Sequence, residues 1–172
     1  MADQPDGLLL AFSLFVIGPV EEVAKLFVLW LFMYNRAEFD RPVDGLTFAC
    51  AVGLGFASVE NWYAMSESGE DWARAILLPF LHPLFSSLWG VGLAYAKFGK
   101  SLRYRNFVFV CLPLSFIYHG LFDYVVLSEE VSPLFVMPLV VFLWFFVASS
   151  LRFLNRSSPG LRVPEEGGSG AS

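Results

Sequence analysis

The sequence has few of the residues from which soluble enzymes build their surfaces, metal sites and disulfides. Only 16% of its 172 residues are charged, and it contains two histidines and two cysteines. No CxxC pair, HExxH helix motif or glycine-rich phosphate loop occurs, so spacing alone identifies neither a zinc motif nor a nucleotide site. Cys50 and Cys111 each lie near one end of an apolar stretch. We expect both to be reduced thiols packed among helices.

Apolar residues are in excess. They make up 56% of the chain and include 19 Phe and 5 Trp, a composition typical of membrane proteins. An apolar helix of about 20 residues crosses a bilayer. The sequence predicts an all-α, polytopic membrane helical bundle with about five spans, near residues 8–34, 46–65, 75–97, 107–127 and 134–154. The first span would be about 40 Å long as a straight helix, so we expect a bend or a restart at Pro19.

Residues 1–154 are expected to form one transmembrane domain, because the connections between spans are too short for a separate soluble domain. The segment 155–172 is rich in Ser, Gly and Pro and is expected to be a disordered tail. Basic residues concentrate on one predicted side of the bundle, and only Arg74 lies on the other. The positive-inside rule therefore predicts an N-terminus outside and a cytoplasmic C-terminus, in a multi-pass protein of a cell membrane. We interpret the basic segment KFGKSLRYR as a topology signal, so no nucleic-acid partner is expected.

Ionisable side chains inside the apolar stretches are the strongest functional signal. Each costs at least about 2.5 kcal/mol on insertion scales, so it is expected to face the bundle interior. These residues are Glu21, Glu22, Lys25, Glu60, His82, His119 and Asp123. Counted from the cytoplasmic span ends, the first glutamate, Glu60 and both histidines lie at roughly 18 to 22 Å. We therefore expect one layer of acid and imidazole groups in the outer half of the bilayer.

Helical spacing gives members of this layer expected neighbours. Lys25 lies four residues after Glu21 and three after Glu22, so its ammonium can approach both carboxylates. The adjacent glutamates project about 100° apart, and we expect them to have different roles. His119 and Asp123 share one helical face, where the carboxylate can fix the tautomer of the ring.

Several polar residues near this layer have alternative interpretations. Ser115 shares a helical stripe with His119 and Asp123, but nothing nearby resembles the strained nucleophile turn of a serine hydrolase, so serine catalysis is disfavoured. Asn61 is equally suited to donating to a substrate carbonyl and to bridging helices. The glycines of the GLG segment at residues 53–55 favour close helix packing.

Four blocks in order resemble the PrsW family of intramembrane proteases, which is distantly similar to the CAAX-processing and bacteriocin-immunity membrane proteases. They are PVEEVAK, GLGFASVENWY, HPLFSSLWGVGLA and HGLFD, and together they extend from Pro19 to Asp123. The resemblance implies hydrolysis of a peptide bond in or near the membrane. In founding members of the family the substrate is a single-pass anti-sigma factor cut on its extracytoplasmic side.

The resemblance also implies a set of functional positions, with Asp123 in support. These positions are Glu21, Glu22, Lys25, Glu60, His82 and His119. Similar proteins commonly have additional spans ahead of the glutamate pair, so we expect this chain to be a minimal or truncated form. The substrate is then a membrane-anchored protein in the lipid bilayer, while its identity and the oligomeric state stay open.

Amide hydrolysis needs an activated water, a stabiliser for the oxyanion and an acid for the leaving amine. In our leading hypothesis Glu21 is the general base for a water that His82 also contacts. His119 and Asn61 then polarise the scissile carbonyl. Glu60 positions a histidine or the water.

A close variant of this hypothesis adds a zinc ion. Its candidate ligands are Glu60, His82 and His119, with a glutamate of the first pair as a further candidate. A rival from another class is a proton-coupled transporter or relay protein, because buried acids and imidazoles also carry protons. A third alternative is an inactive membrane scaffold in which the same groups only hold helices together.

Overall fold

The computed structural model describes residues 6–68, 72–128 and 130–156, and no strand occurs in these ranges. The α-helices found there are α1 (Asp6–Phe12), α2 (Gly18–Phe32), α3 (Pro42–Ser68), α4 (Trp72–Phe98), α5 (Leu102–Arg105), α6 (Val108–Leu127) and α7 (Val136–Arg156). A π-helical turn, Ser13–Ile17, joins α1 to α2, and a 3-10 turn, Pro133–Phe135, precedes α7.

The long helices agree with the predicted spans. In the part of the chain that the structure describes, 4 helical stretches are long and apolar enough to cross a membrane, namely Asp6–Phe32, Pro42–Ser66, Leu102–Leu127 and Pro133–Leu154. The remaining predicted span corresponds to α4, which lies at the centre of the bundle and is buried along most of residues 81–94. The predicted all-α membrane bundle is confirmed.

Two other sequence-based expectations concern the ends of the chain. The outside location of the N-terminus stays a prediction. Helix α7 continues through Arg156 and so includes the first two residues of the predicted disordered tail, and residues 157–172 lie outside the described residues.

The outer faces of the long helices are covered by large apolar side chains. Phe15, Trp62, Phe109 and Phe145 are largely exposed on four different segments of the bundle. Exposed aromatic surface of this extent is unfavourable in water and is what a helix presents to lipid. The multi-pass membrane assignment therefore has support from the packing as well as from the composition.

The first span stays helical but takes a π-helical turn just before the glutamate pair, close to Pro19, where a bend or restart was predicted. The π-helical turn ends at Ile17, and α2 begins at Gly18. A Cβ atom on Gly18 would lie 2.5 Å from the carbonyl oxygen of Phe116, and one on Gly120 would lie 2.5 Å from that of Ser13. Because these glycines let α6 approach the first span so closely, the glutamates of α2 reach the histidine of α6.

Close packing also brings α3 against α4. A Cβ atom on Gly53 would lie 2.8 Å from the carbonyl oxygen of His82, so the predicted packing role of this glycine is confirmed. The same prediction is wrong for Gly55, where no described atom lies within 4 Å of an added Cβ. Cys50 and Cys111 are free thiols, half-buried and buried respectively, as expected.

Candidate active site

Glu22 is a fully buried carboxylate held by side chains from three helices. Its Oε1 accepts a hydrogen bond from Lys25 Nζ at 2.7 Å and lies 2.8 Å from Nδ1 of His119. Its Oε2 accepts from Nε1 of Trp89 at 2.7 Å and from Oγ of Ser86 at 3.3 Å. These contacts replace the hydration that burial removes. Glu22 therefore fixes the positions of its neighbours.

One nitrogen of the His119 ring is fixed by Glu22, and the other nitrogen faces two further carboxylates. Because an ionised Glu22 only accepts hydrogen bonds, the Nδ1 of His119 donates to it. In the neutral ring Nε2 then carries a lone pair, and this atom lies 3.4 Å from Glu21 Oε2 and 3.5 Å from Asp123 Oδ2. This buried Nε2 has no hydrogen-bond partner within the described residues. A lone pair that faces two carboxylates is unfavourable unless a cation or a proton lies between them.

His82 is held between a cation and an acid. Its Nδ1 lies 2.9 Å from Lys25 Nζ, and an ammonium can only donate, so Nδ1 is the acceptor. The opposite nitrogen, Nε2, carries the proton and lies 3.2 Å from Glu60 Oε2. Phe56 stacks on one side of the ring with centroids 5.8 Å apart, and the ring of His119 lies 4.9 Å away.

The predicted layer of acids and imidazoles is therefore a contact network of α2, α3, α4 and α6. Its centre is Glu21, whose Oε2 lies 3.4 Å from Lys25 Nζ and 4.0 Å from Nδ1 of His82. The expected approach of Lys25 to both glutamates is confirmed. The two glutamates differ in environment as predicted, because the Glu21 side chain is 21% exposed and that of Glu22 is fully buried.

A cleft of about 640 Å³ lies beside the network. Glu21, Glu60 and Asp123 are the charged residues that line it among the described side chains. The rest of the lining is largely apolar and comes in part from Leu81, Phe122, Met137 and Val140. An apolar peptide segment would therefore find matching walls next to three carboxylates.

Glu21, His82 and His119 could hold a metal ion. Their ligand atoms lie within 4.8 Å of one another, and two imidazoles with one carboxylate are a common catalytic zinc set. The donation from His119 to Glu22 is the carboxylate–histidine arrangement that supports a metal-bound imidazole, and it leaves Nε2 available. Glu60 was predicted as a ligand, but the structure groups Glu21 with the two histidines and directs Glu60 toward His82.

The charge of the network also suits a divalent cation. Four carboxylates and one ammonium lie around two imidazoles. With all of these groups ionised and both imidazoles neutral, the net charge is about −3, which is costly in a low-dielectric interior. A bound divalent cation would reduce this excess of negative charge.

Sequence reasoning missed Ser86 and Trp89 as supports of the site. They follow His82 by four and seven residues and so lie on the same face of the helix as His82. This helical spacing is the signal in the sequence that could have identified them. Serine catalysis, which the sequence already disfavours, has no geometric support either, because the Oγ of Ser115 donates to the carbonyl of Leu112 at 2.7 Å. Asn61 is half-buried with an inaccessible Oδ1, which leaves both of its predicted roles open.

Comparison with known proteins adds a family to this geometry. The family model described as PrsW family intramembrane metalloprotease matches residues 2–149. A protein named Protease PrsW from Geobacillus kaustophilus is 37% identical over 113 residues, which cover 64% of this chain and 50% of that protein. Proteins of the same name from Halalkalibacterium halodurans and Bacillus subtilis are 34% and 30% identical, over 87% and 75% of this chain and 69% and 60% of their own.

The chain thus spans from half to about two thirds of the length of these curated relatives. No solved structure matches it.

Proposed function

Because the chain belongs to the PrsW family of intramembrane metalloproteases, we propose that it is an endopeptidase that hydrolyses a peptide bond of a membrane-anchored protein. The observation that carries this proposal is the position of Glu21. Its carboxylate touches Lys25 and His119 and also lines the apolar cleft. A reactive group is therefore next to space that a peptide can fill.

In the proposed site Glu21, His82 and His119 would hold a zinc ion. When bound, zinc would polarise the scissile carbonyl and lower the pKa of a water. Asp123 is the carboxylate that we assign to accept a proton from the attacking water, because Glu60 lies against Nε2 of His82 at 3.2 Å. Asp123 lines the cleft and would return the proton to the leaving amine.

Lys25 and Glu22 have supporting roles in this proposal. Lys25 keeps both glutamates in place. A zinc ion on Nδ1 of His82 would take the place of the Lys25 contact with that atom, and Nε2 of His82 would keep its proton toward Glu60. Glu22 holds His119 in the tautomer whose Nε2 faces the cleft side. Without a metal, the same arrangement leaves Glu21 as the general base, and the metal content of the active protein separates the two mechanisms.

The proposed substrate is a single-pass protein, cut in the outer half of the bilayer. Two observations support it: the cleft is lined by apolar side chains, and the network lies deep within the helices rather than at a loop. A soluble polar peptide would lose its hydration on entering this cleft, whereas a membrane segment would not.

The test is cleavage of a tagged single-pass anti-sigma factor in proteoliposomes by the full chain. We expect the wild type to release a fragment, and Glu21→Gln and His119→Ala to release at least about 100-fold less. Size-exclusion profiles and thermal unfolding check that the variants are folded. Equal cleavage by folded wild type and variants would refute the proposal, and proton flux without cleavage would favour the transporter.

A further inference from the structure

A cavity separate from the cleft lies at the basic end of the bundle, where α4 and α6 are joined through α5. Its volume is about 820 Å³. The residues that line it are Tyr95, Arg103, Tyr104, Asn106, Phe107 and Val110. None of them belongs to the proposed protease site, so this cavity needs an explanation of its own.

The polar groups of this cavity suit an anion. The guanidinium of Arg103, the amide of Asn106 and two phenols can all donate hydrogen bonds, and no carboxylate belongs to the lining. Arg103 takes part in no ion pair within residues 6–68, 72–128 and 130–156. Arg41 differs, because it pairs with Asp44 at 2.9 Å, which raises the pKa of the Arg41 guanidinium. An arginine without an acidic partner, with further hydrogen-bond donors around it, can bind a phosphate group through two parallel N–H donors of its guanidinium.

The apolar side of the cavity indicates that the phosphate belongs to a lipid. Phe107 and Val110 form one wall, and both are exposed on the outer surface. Leu114 is exposed four residues further along α6, so these three side chains make a continuous apolar stripe at helical spacing. A free phosphate ion would gain nothing from this stripe, whereas an acyl chain would lie along it.

The neighbouring cavity provides a contrast. It has a volume of about 560 Å³ and shares Tyr95 and Tyr104, whose rings stack with centroids 5.6 Å apart. Asp40 and Lys100 both line this neighbouring cavity. The opposite charges of its carboxylate and ammonium offset each other, whereas the Arg103 cavity has a positive charge and no carboxylate, so charge complementarity favours the Arg103 cavity for an anion.

We propose that the Arg103 cavity binds an anionic phospholipid, with the headgroup phosphate on Arg103 and Asn106 and an acyl chain along Phe107, Val110 and Leu114. The site lies at the membrane end that the positive-inside rule assigns to the cytoplasm, where anionic headgroups attract basic segments. The bound lipid would tie the connection between α4 and α6 to the bilayer.

The experiment uses the full chain in nanodiscs of phosphatidylcholine, with and without phosphatidylglycerol. Native mass spectrometry counts the retained phosphatidylglycerol, and thermal unfolding reports its stabilising effect. We expect Arg103→Gln to weaken apparent phosphatidylglycerol affinity about tenfold. The matched control is Arg105→Gln on the same short helix, since Arg105 does not line the cavity, and we expect it to retain wild-type affinity within about twofold.

Equal losses in Arg103→Gln and Arg105→Gln would mean diffuse charge attraction and would overturn the site. Inorganic phosphate added to phosphatidylcholine nanodiscs should not raise the unfolding temperature, and a rise equal to that with phosphatidylglycerol would overturn the lipid assignment. Asn106→Asp keeps the proposal testable if Arg103→Gln does not fold. It should lose the phosphatidylglycerol effect while unfolding like wild type in phosphatidylcholine, and a retained effect would overturn the proposal.

Discussion

The indole Nε1 of Trp89 donates a 2.7 Å hydrogen bond to Oε2 of Glu22, and both side chains are 0% exposed. The bond ties the central helix α4 to the glutamate pair of α2. Because the other oxygen of Glu22 holds His119, the orientation of that imidazole depends on a tryptophan that touches neither the cleft nor the histidine nitrogens. Trp89 is therefore a positioning residue of the proposed site.

Replacing Trp89 with phenylalanine keeps an aromatic ring and removes the donor. We expect Trp89→Phe to lower substrate cleavage by about 10–100-fold, the range found when a group that orients a metal ligand is lost. Zinc affinity, measured by competition with a chelator, should fall in parallel. The matched control is Trp62→Phe, because Trp62 is exposed on α3. Equal activity and zinc affinity in the two variants would contradict the role of Trp89.

Much of this architecture could be predicted from the sequence, because a bilayer fixes the length of an apolar helix. The rise per residue is also constant, so counting from the span ends placed Glu60 and His82 at one depth. The structure brings these two side chains within 3.2 Å. The depth of a residue in the bilayer can therefore be predicted from its distance in sequence to the end of its span.

The direction in which each side chain points around its helix axis was much harder to predict. The π-helical turn Ser13–Ile17 rotates the side chains that follow it around the helix axis. Nothing in the sequence of this segment indicates the turn. Side-chain spacing therefore could not tell that Glu22 would be enclosed and Glu21 would face the cleft. The sequence left open which glutamate would join the two histidines for the same reason, since Glu60 and Glu21 lie at similar depths on different helices.

The two glutamates should respond differently to the same substitution. Glu21→Gln removes a partly exposed carboxylate that lines the cleft, so we expect cleavage to be lost with little change in stability. Glu22→Gln leaves the buried ammonium of Lys25 without its closest partner. Breaking a buried pair costs about 3–5 kcal/mol of unfolding free energy, so we expect a clear fall in the thermal unfolding temperature. Equal unfolding temperatures for the two variants would contradict this division of roles.

Zinc should copurify with the active protein and depend on His119. We expect elemental analysis to find about one zinc ion per chain, with strong loss in His119→Ala. Chelation should stop cleavage, and added zinc should restore it. Cys50→Ser is the control, because Cys50 is the more exposed of the two free thiols and the proposed ligand set does not include it. A metal-free preparation with full activity would eliminate the zinc mechanism and leave Glu21 as the base.

The close contact between the first span and α6 should not tolerate an added methyl group. A Cβ atom on Gly120 would meet the carbonyl oxygen of Ser13 at 2.5 Å, and a backbone atom cannot move aside cheaply. We expect Gly120→Ala to cost about 1–3 kcal/mol of stability and to reduce cleavage, because His119 is its neighbour on α6.

Gly55→Ala provides the comparison for this prediction, since no described atom lies within 4 Å of the added methyl group. The better helix propensity of alanine should leave stability unchanged or raised by up to about 1 kcal/mol. Thermal unfolding of both variants in the same detergent measures the difference. Unfolding temperatures that fall equally would show that the close approach does not determine the cost.

The cleft beside Glu21 should admit the substrate, and filling it should block cleavage without disturbing the charged network. Val140 lines the cleft from α7, and the next residue, Val141, is exposed on the outer surface. Val140→Trp would place an indole in the volume that a substrate segment needs, so we expect cleavage to fall at least about tenfold. Zinc content and unfolding temperature should stay near wild type. Val141→Trp adds the same bulk one residue away, toward lipid, and should cleave normally. If instead both variants cleaved at the wild-type rate, the substrate would have to reach the glutamate by another path.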